Sequence, residues 1–204
     1  MSAQLKQVEV RERPILFSGP MVRAILEGRK TQTRRVRKLP VCCVDCEGEQ
    51  SDGFICATCK RVHRWPTTCP YGQAGNHLWV RETFAPCIGG AEGPDNPTLY
   101  RADAVDGYDR LTWKPSIFMP RWASRITLEI TNVRVERLQI ISEEDAIAEG
   151  MQRSDNTGMY PSPQGNCDHA SWAFHYGWDS INGKRKGCAW ADNPWVWVIE
   201  FKKL

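Results

Sequence analysis

Apolar residues along the chain fall into three short helical patterns and three strand patterns. Met21, Val22, Ile25 and Leu26, preceded by Ser18-Gly19-Pro20 and followed by Gly28, predict a short helix. Ser18 suits its cap, Pro20 its first turn and Gly28 its stop, which leaves Lys30 and Thr33 just beyond a helix C-terminus. After the turn signal Gly75-Asn76, the run His77-Leu78-Trp79-Val80-Arg81 predicts a strand leading to Glu82. Ile126, Leu128 and Ile130 alternate with polar residues, and after Thr131-Asn132 the alternation resumes out of phase at Val133 and Val135. A slip of this kind predicts a bulge or sharp bend. Ser142-Glu143-Glu144-Asp145 opens a second short helix with a capping-box pattern, ending at Gly150. Trp172, Phe174, Trp178 and Ile181 predict a third, ending at Asn182-Gly183. The closing Trp195-Val196-Trp197-Val198-Ile199-Glu200-Phe201 is apolar on both faces for most of its length, which predicts a buried central strand.

The segments between these elements lack sustained periodicity. Residues 41–71, rich in Cys, Gly, Asp and Pro, read as an insertion too long to be structureless in a compact domain. Residues 84–121 and 152–191 read as further, mostly loop-like insertions, the second containing the third helix. Short strands, few helices and inserted loops predict an α+β chain built on a small β-barrel. At 204 residues with 41% apolar content, the chain is expected to form one domain. It has no apolar run of the roughly 18 residues needed to span a membrane, and its N-terminus lacks the apolar core of a secretion signal. A cytoplasmic location is therefore expected.

Charge is concentrated. From Arg23 to Lys38 seven Lys or Arg residues face one acid, Glu27, a local net of +6 in a chain whose total is +3. Any attraction for a polyanion is thus focused on this element. Gly28, Lys30, Thr33, Arg34 and Arg35 lie within it. Trp79, Arg81, Trp113, Arg121 and Trp122 add aromatic planes and cations of the kind that stack on bases and pair with phosphates.

Nine cysteines in a chain expected to be cytoplasmic argue for metal binding over disulfides. Cys43-x-x-Cys46 and Cys56-x-x-Cys59, nine residues apart, have the spacing of a zinc ribbon or short zinc loop, each pair offering two thiolates on a tight turn. A closed four-cysteine site would be structural Zn2+, holding the insertion together. Cys42, His63 and Cys69 are substitutes for one of the four. Cys167-x-His169 with Cys188 has a looser spacing and reads as scattered cysteines, and His77 as a packed or solvent-facing strand residue.

Four blocks together resemble the ASCH family, relatives of the PUA RNA-binding barrel: Gly28-x-Lys30-x-x-Thr33-x-Arg35, the strand from Gly75 to Arg81, Asp145-Ala146-Ile147-Ala148-Glu149-Gly150-Met151, and Trp197-Val198-Ile199-Glu200-Phe201-Lys202-Lys203-Leu204. Their order is similar to that in small bacterial amidohydrolases that deacetylate N(4)-acetylcytidine, and the longer layout resembles phage and prophage proteins of the superfamily. The resemblance implies a PUA-like barrel and a catalytic triad of Thr33 as nucleophile, Lys30 as its activator and Glu149. It implies a nucleoside, RNA or DNA as partner and a bacterial host cytoplasm for a phage-encoded protein; Gly28, Arg34 and Arg35 of the basic element and Trp79, Arg81 and Arg121 among the aromatic planes and cations are the residues expected to bind that partner. A threonine hydroxyl is a weak nucleophile until a neighbouring base takes its proton, and a desolvated lysine near other cations can serve as that base. A non-catalytic RNA- or DNA-binding module and a ribonuclease on the same barrel are the alternatives. The usual ASCH motif carries glutamate where Thr33 stands.

Overall fold

The structure, a computed structural model, describes residues 10–37, 54–55, 62–63, 68–86, 93, 97–104 and 111–204. In chain order the elements are β1 (Glu12–Leu16), α1 (Gly19–Leu26), β2 (Gln32–Val36), β3 (Phe54–Ile55), β4 (Val62–His63), β5 (His77–Arg81), β6 (Phe84–Pro86), β7 (Thr98–Tyr100), β8 (Thr127–Arg137), α2 (Glu143–Ala148), β9 (Tyr160–Ser162), β10 (Gly165–Cys167), α3 (Ala170–Asn182) and β11 (Trp195–Lys203). One sheet takes five strands in the order β1-β5-β8-β11-β2. Only β1 and β5 run parallel; the other three pairings are antiparallel.

The double-sided apolar character of β11 follows from its place between β8 and β2, with a core on each face. Trp197, Ile199 and Phe201 enter one core with Val22 and Ile25 of α1 and Leu78, Leu128 and Ile130 of the sheet. Val196 and Val198 enter the other, with Ala146 of α2 and Phe174 and Trp178 of α3. Each side chain of this size, fully buried, stabilises the fold by about 1.5–3 kcal/mol. The expected phase slip in β8 is a bulge: Glu200 pairs with Asn132 and the next residue, Phe201, with Ile130, leaving Thr131 over. The extra residue lets Leu128 and Ile130 before it, and Val133 and Val135 after it, pack on the same core.

The expected barrel is not closed. The ladder of paired strands ends at β1 on one side and β2 on the other. A side chain crosses between these ends instead: Arg35 of β2 donates from Nη2 to the Leu16 carbonyl of β1 at 2.7 Å, with its guanidinium 5.2 Å from the centre of the Phe17 ring. The result is a mixed α+β fold with an open five-stranded sheet and, among the described residues, three α-helices.

The segments expected as insertions carry more structure than their composition suggests. In 84–121, β6 pairs with β7, and Met119 is buried against Phe84 and against Ala123 just beyond the segment. In 152–191, the β9–β10 hairpin and α3 build much of the second core. Within 41–71 most residues, including Cys43, Cys46, Cys56 and Cys59, lie outside the described residues; β3 and β4 pair antiparallel there. No helix among the described residues is long and apolar enough to cross a membrane.

Candidate functional site

Two helix ends of the same design bring the site together. Helix α1 stops where Gly28 takes φ +74°, and the Arg29 N–H reaches back to the Ala24 carbonyl at 2.9 Å. Helix α2 stops at Gly150 with φ +100°, and the Met151 N–H bonds the Ala146 carbonyl at 3.3 Å. Glycine at this position adopts the left-handed backbone without Cβ strain. The two ends then meet: the Thr31 N–H donates to the Ala148 carbonyl at 2.9 Å, and Arg29 Nη1 to the Gly150 carbonyl at 3.2 Å. At its start α2 carries half of the expected capping box, since Ser142 Oγ accepts from the Asp145 N–H at 3.1 Å while the Asp145 carboxylate turns to arginines. Ser18, expected to cap α1, makes no such side-chain bond.

Lys30 is thereby set against Glu149. Its Nζ lies 2.7 Å from both the Glu149 carbonyl and carboxylate Oε2, and its side chain is fully buried. A cation is favoured at the carbonyl end of a helix, so the fold alone accounts for part of this contact. Burial pushes the Lys30 amine below its usual pKa; Glu149 opposes the shift and Arg35 and Arg34 add to it. Both hydrogen bonds of Nζ go to Glu149 and neither to Thr33.

Around this pair runs a network of charge that the sequence did not disclose. Arg34, also fully buried, bonds Glu149 Oε1 at 3.3 Å, Asp145 Oδ2 at 2.7 Å and the Glu136 carboxylate. Arg134 joins Asp145, Glu136, Glu200 and Gln32. Strand register explains the convergence: Arg34 and Arg134 both stand opposite Val198, on either side of β11, so both guanidinium groups reach one face, where Asp145 of α2 answers them. Burial pushes the Asp145 carboxyl up, but Arg34 and Arg134 more than reverse this and hold it below its usual value.

Thr33, expected just beyond the end of a helix, lies in β2, where it pairs with Ile199 at the edge of the sheet. Residues from both faces of an edge strand can line one space, and they do. A cavity of about 660 Å³ is lined by Thr33, Arg34, Arg35 and Glu149, with Met21 of α1, Tyr71 and Met151, and Phe174 and Trp178 of α3 forming apolar and aromatic walls. Trp178 keeps its polar end satisfied by donating from Nε1 to the Cys188 carbonyl at 2.8 Å. Arg35 Nε is buried without a hydrogen-bond partner, and burial pushes the Arg35 guanidinium below its usual pKa.

The remaining expected site residues lie elsewhere. Gly28 has a backbone role and lines neither this cavity nor the groove beside it. Trp79, Arg81 and Arg121 form a separate cluster near the β1 edge: the guanidinium groups lie 5.0 and 6.0 Å from the Trp79 ring, Arg81 donates to the Met119 carbonyl at 2.9 Å, and Arg121 grips Glu12. Cys43, Cys46, Cys56 and Cys59 lie outside the described residues. Of the substitute ligands, Cys69 packs on the first core, and burial pushes its thiol up. Among the described residues no group of three His, Cys, Asp or Glu side chains is suited to a metal ion. Sequence reasoning missed Gln32, Arg134, Glu136, Asp145 and Glu200 as network members, and Tyr71, Phe174 and Trp178 as walls. The available signal was Arg134 and Glu136 alternating with Val133 and Val135, a charged pair on the second face of β8. Compared with known proteins, the chain matches no family model, no curated protein and no solved structure.

Proposed function

We propose that the protein is an ASCH-type, PUA-related hydrolase that removes an acyl group from an N4-acylated cytidine-type base, with Thr33 as nucleophile. The observation that carries this reading is that Thr33 and Glu149 line one cavity while Glu149 holds the buried Lys30 amine at 2.7 Å. The cavity volume of about 660 Å³ falls in the range of small-molecule sites, and its aromatic walls suit a planar base. A buried amine with a depressed pKa is the base that a hydroxyl nucleophile needs.

In the proposed reaction Thr33 Oγ1 attacks the acyl carbon while its proton passes to Lys30, whose hydrogen-bonded proton shifts to the Glu149 carboxylate and returns when Lys30 gives up the proton it took. The oxyanion that forms is stabilised by the Arg35 guanidinium. Collapse of this intermediate breaks the C–N bond, the leaving amine takes the proton from Lys30, and an acyl-threonine remains. Water, deprotonated by Lys30, then splits the ester to release the carboxylate. Glu149 orients the amine throughout.

A polyanion-binding role for the basic element has less support, because Lys30 and Arg34 are fully buried and paired with acids. A ribonuclease would use the same cavity and leave different products. Incubating the purified protein with N(4)-acetylcytidine, other N4-acylated cytidines and RNA tests all three. The expected result is release of acetate and cytidine with RNA left intact; a full panel of acylated nucleosides left untouched removes the reading.

The insertion at 41–71 fits a structural Zn2+ held by Cys43, Cys46, Cys56 and Cys59. In the sequence the second pair lies between β3 and β4, whose pairing brings its flanks together.

A further inference from the structure

Beside the cavity lies a second space of different character. A groove of about 540 Å³ shares Pro20, Met151 and Pro161 with the cavity wall, and is otherwise polar, with Arg23, Arg29 and Arg153 among its lining residues. Among the described residues Asp155 is the one acid that lines it.

Two of the three guanidinium groups, those of Arg23 and Arg153, are anchored by carbonyls, and the third, that of Arg29, is shared between a carbonyl and the Glu27 carboxylate. Arg23 Nη1 donates to the Ala102 carbonyl at 3.0 Å, and Arg153 Nη1 to the Gly158 carbonyl at 3.0 Å, with its guanidinium 5.0 Å from the Tyr160 ring. Arg29 Nη1 donates to the Gly150 carbonyl, while another edge of the group meets Glu27, itself more than half exposed. A carbonyl fixes the direction of a guanidinium without cancelling its charge. The groove therefore holds oriented cations in excess, and guanidinium forks match phosphate oxygens in geometry. The first turn of α1, whose Pro20 lines both spaces, adds the positive end of a helix.

We propose that this groove is a phosphate subsite continuous with the cavity, so that the ligand is a nucleotide, free or within a strand, whose base enters the cavity while its phosphate lies among Arg23, Arg29 and Arg153. The assignment of a base to the cavity rests on the proposed function; the phosphate subsite rests on the groove itself.

Calorimetric titration of cytidine, cytidine 5′-monophosphate and a cytidine-containing trinucleotide at low salt tests it without turnover. Wild-type protein and an Arg23→Gln/Arg153→Gln variant are compared, with circular dichroism to confirm that the variant is folded. The monophosphate is expected to bind at least about tenfold more tightly than cytidine, and the variant to erase the difference. A gain seen with the trinucleotide but not the monophosphate upholds the subsite and identifies the phosphate as that of a strand. Equal affinity for all three overturns the proposal. If no cytidine ligand binds, the base assignment fails, and inorganic pyrophosphate decides the subsite alone: a thermal shift lost in the variant upholds it, and no shift overturns it.

Discussion

Lys30 Nζ donates to both the carbonyl and the carboxylate of Glu149, a residue 119 positions further along the chain, at 2.7 Å each. The main-chain contact caps α2 and the side-chain contact closes an ion pair, so one amine serves the fold and the candidate chemistry together.

Breaking the pair is expected to be costly. Lys30→Met leaves Glu149 buried with Arg34, at 3.3 Å, as its one ion-pair partner among the described residues, and should lower stability by about 3–5 kcal/mol. Removing the carboxylate as well, in Lys30→Met/Glu149→Gln, should cost less than the two single changes added together. Urea unfolding of the three variants checks this; strict additivity would count against a coupled pair.

The two helix-stop glycines separate backbone strain from packing. At Gly28 an added Cβ meets nothing within 4 Å, so Gly28→Ala should cost only the left-handed penalty of about 1–2 kcal/mol. At Gly150 the added Cβ comes within 3.2 Å of Ala24 Cβ and 3.3 Å of Lys30 Cβ. Gly150→Ala should therefore be the more destabilising in thermal melts, and should also slow any reaction that uses Lys30. Equal effects from the two would sever Gly150 from the site.

Acid should weaken the fold through Asp145. Its carboxyl is held below the usual value by Arg34 and Arg134 against the opposing pull of burial. Between the lowered folded value and the ordinary one near about 4, the unfolded chain binds more protons, so this contribution is present above that range and lost as the pH falls. Asp145→Asn should lower stability at neutral pH and flatten its decline in acid. Parallel pH profiles for variant and wild type would contradict the assignment.

How much of this was legible in the sequence depends on where each residue's partners lie. The stops at Gly28 and Gly150, the start of α2 at Ser142, the slip at Thr131 and the buried run of β11 are local patterns, and the structure has each of them. Strand β2 was not legible: Gln32-Thr33-Arg34-Arg35-Val36 has one apolar residue and sits in the basic element expected just beyond a helix C-terminus, yet Gln32, Thr33 and Arg34 are buried. Arg34 can be buried because Glu136, Asp145 and Glu149, more than a hundred residues on, supply the charge partners. Nor was β1 visible, since of its five residues only Ile15 is buried. The same distance in sequence hid the cavity, whose walls come from α1, β2 and α3.

For the cysteine pairs, metal analysis of the purified protein should find about one zinc per chain, bound by four thiolates in tetrahedral geometry. Stripping it with a chelator should release the insertion to proteolysis while the five-stranded sheet persists by circular dichroism. A metal-free protein with freely reactive Cys43, Cys46, Cys56 and Cys59 would remove the zinc from the account.

The most direct measurement is the initial rate of acetate release from N(4)-acetylcytidine by wild-type, Thr33→Ser and Thr33→Ala proteins of matched folded content. The serine variant, which keeps the hydroxyl, should retain measurable turnover, and the alanine variant should lose it by a factor of at least about 10³, the scale expected when a nucleophile is removed. Wild-type turnover that survives intact in Thr33→Ala would contradict Thr33 as the nucleophile.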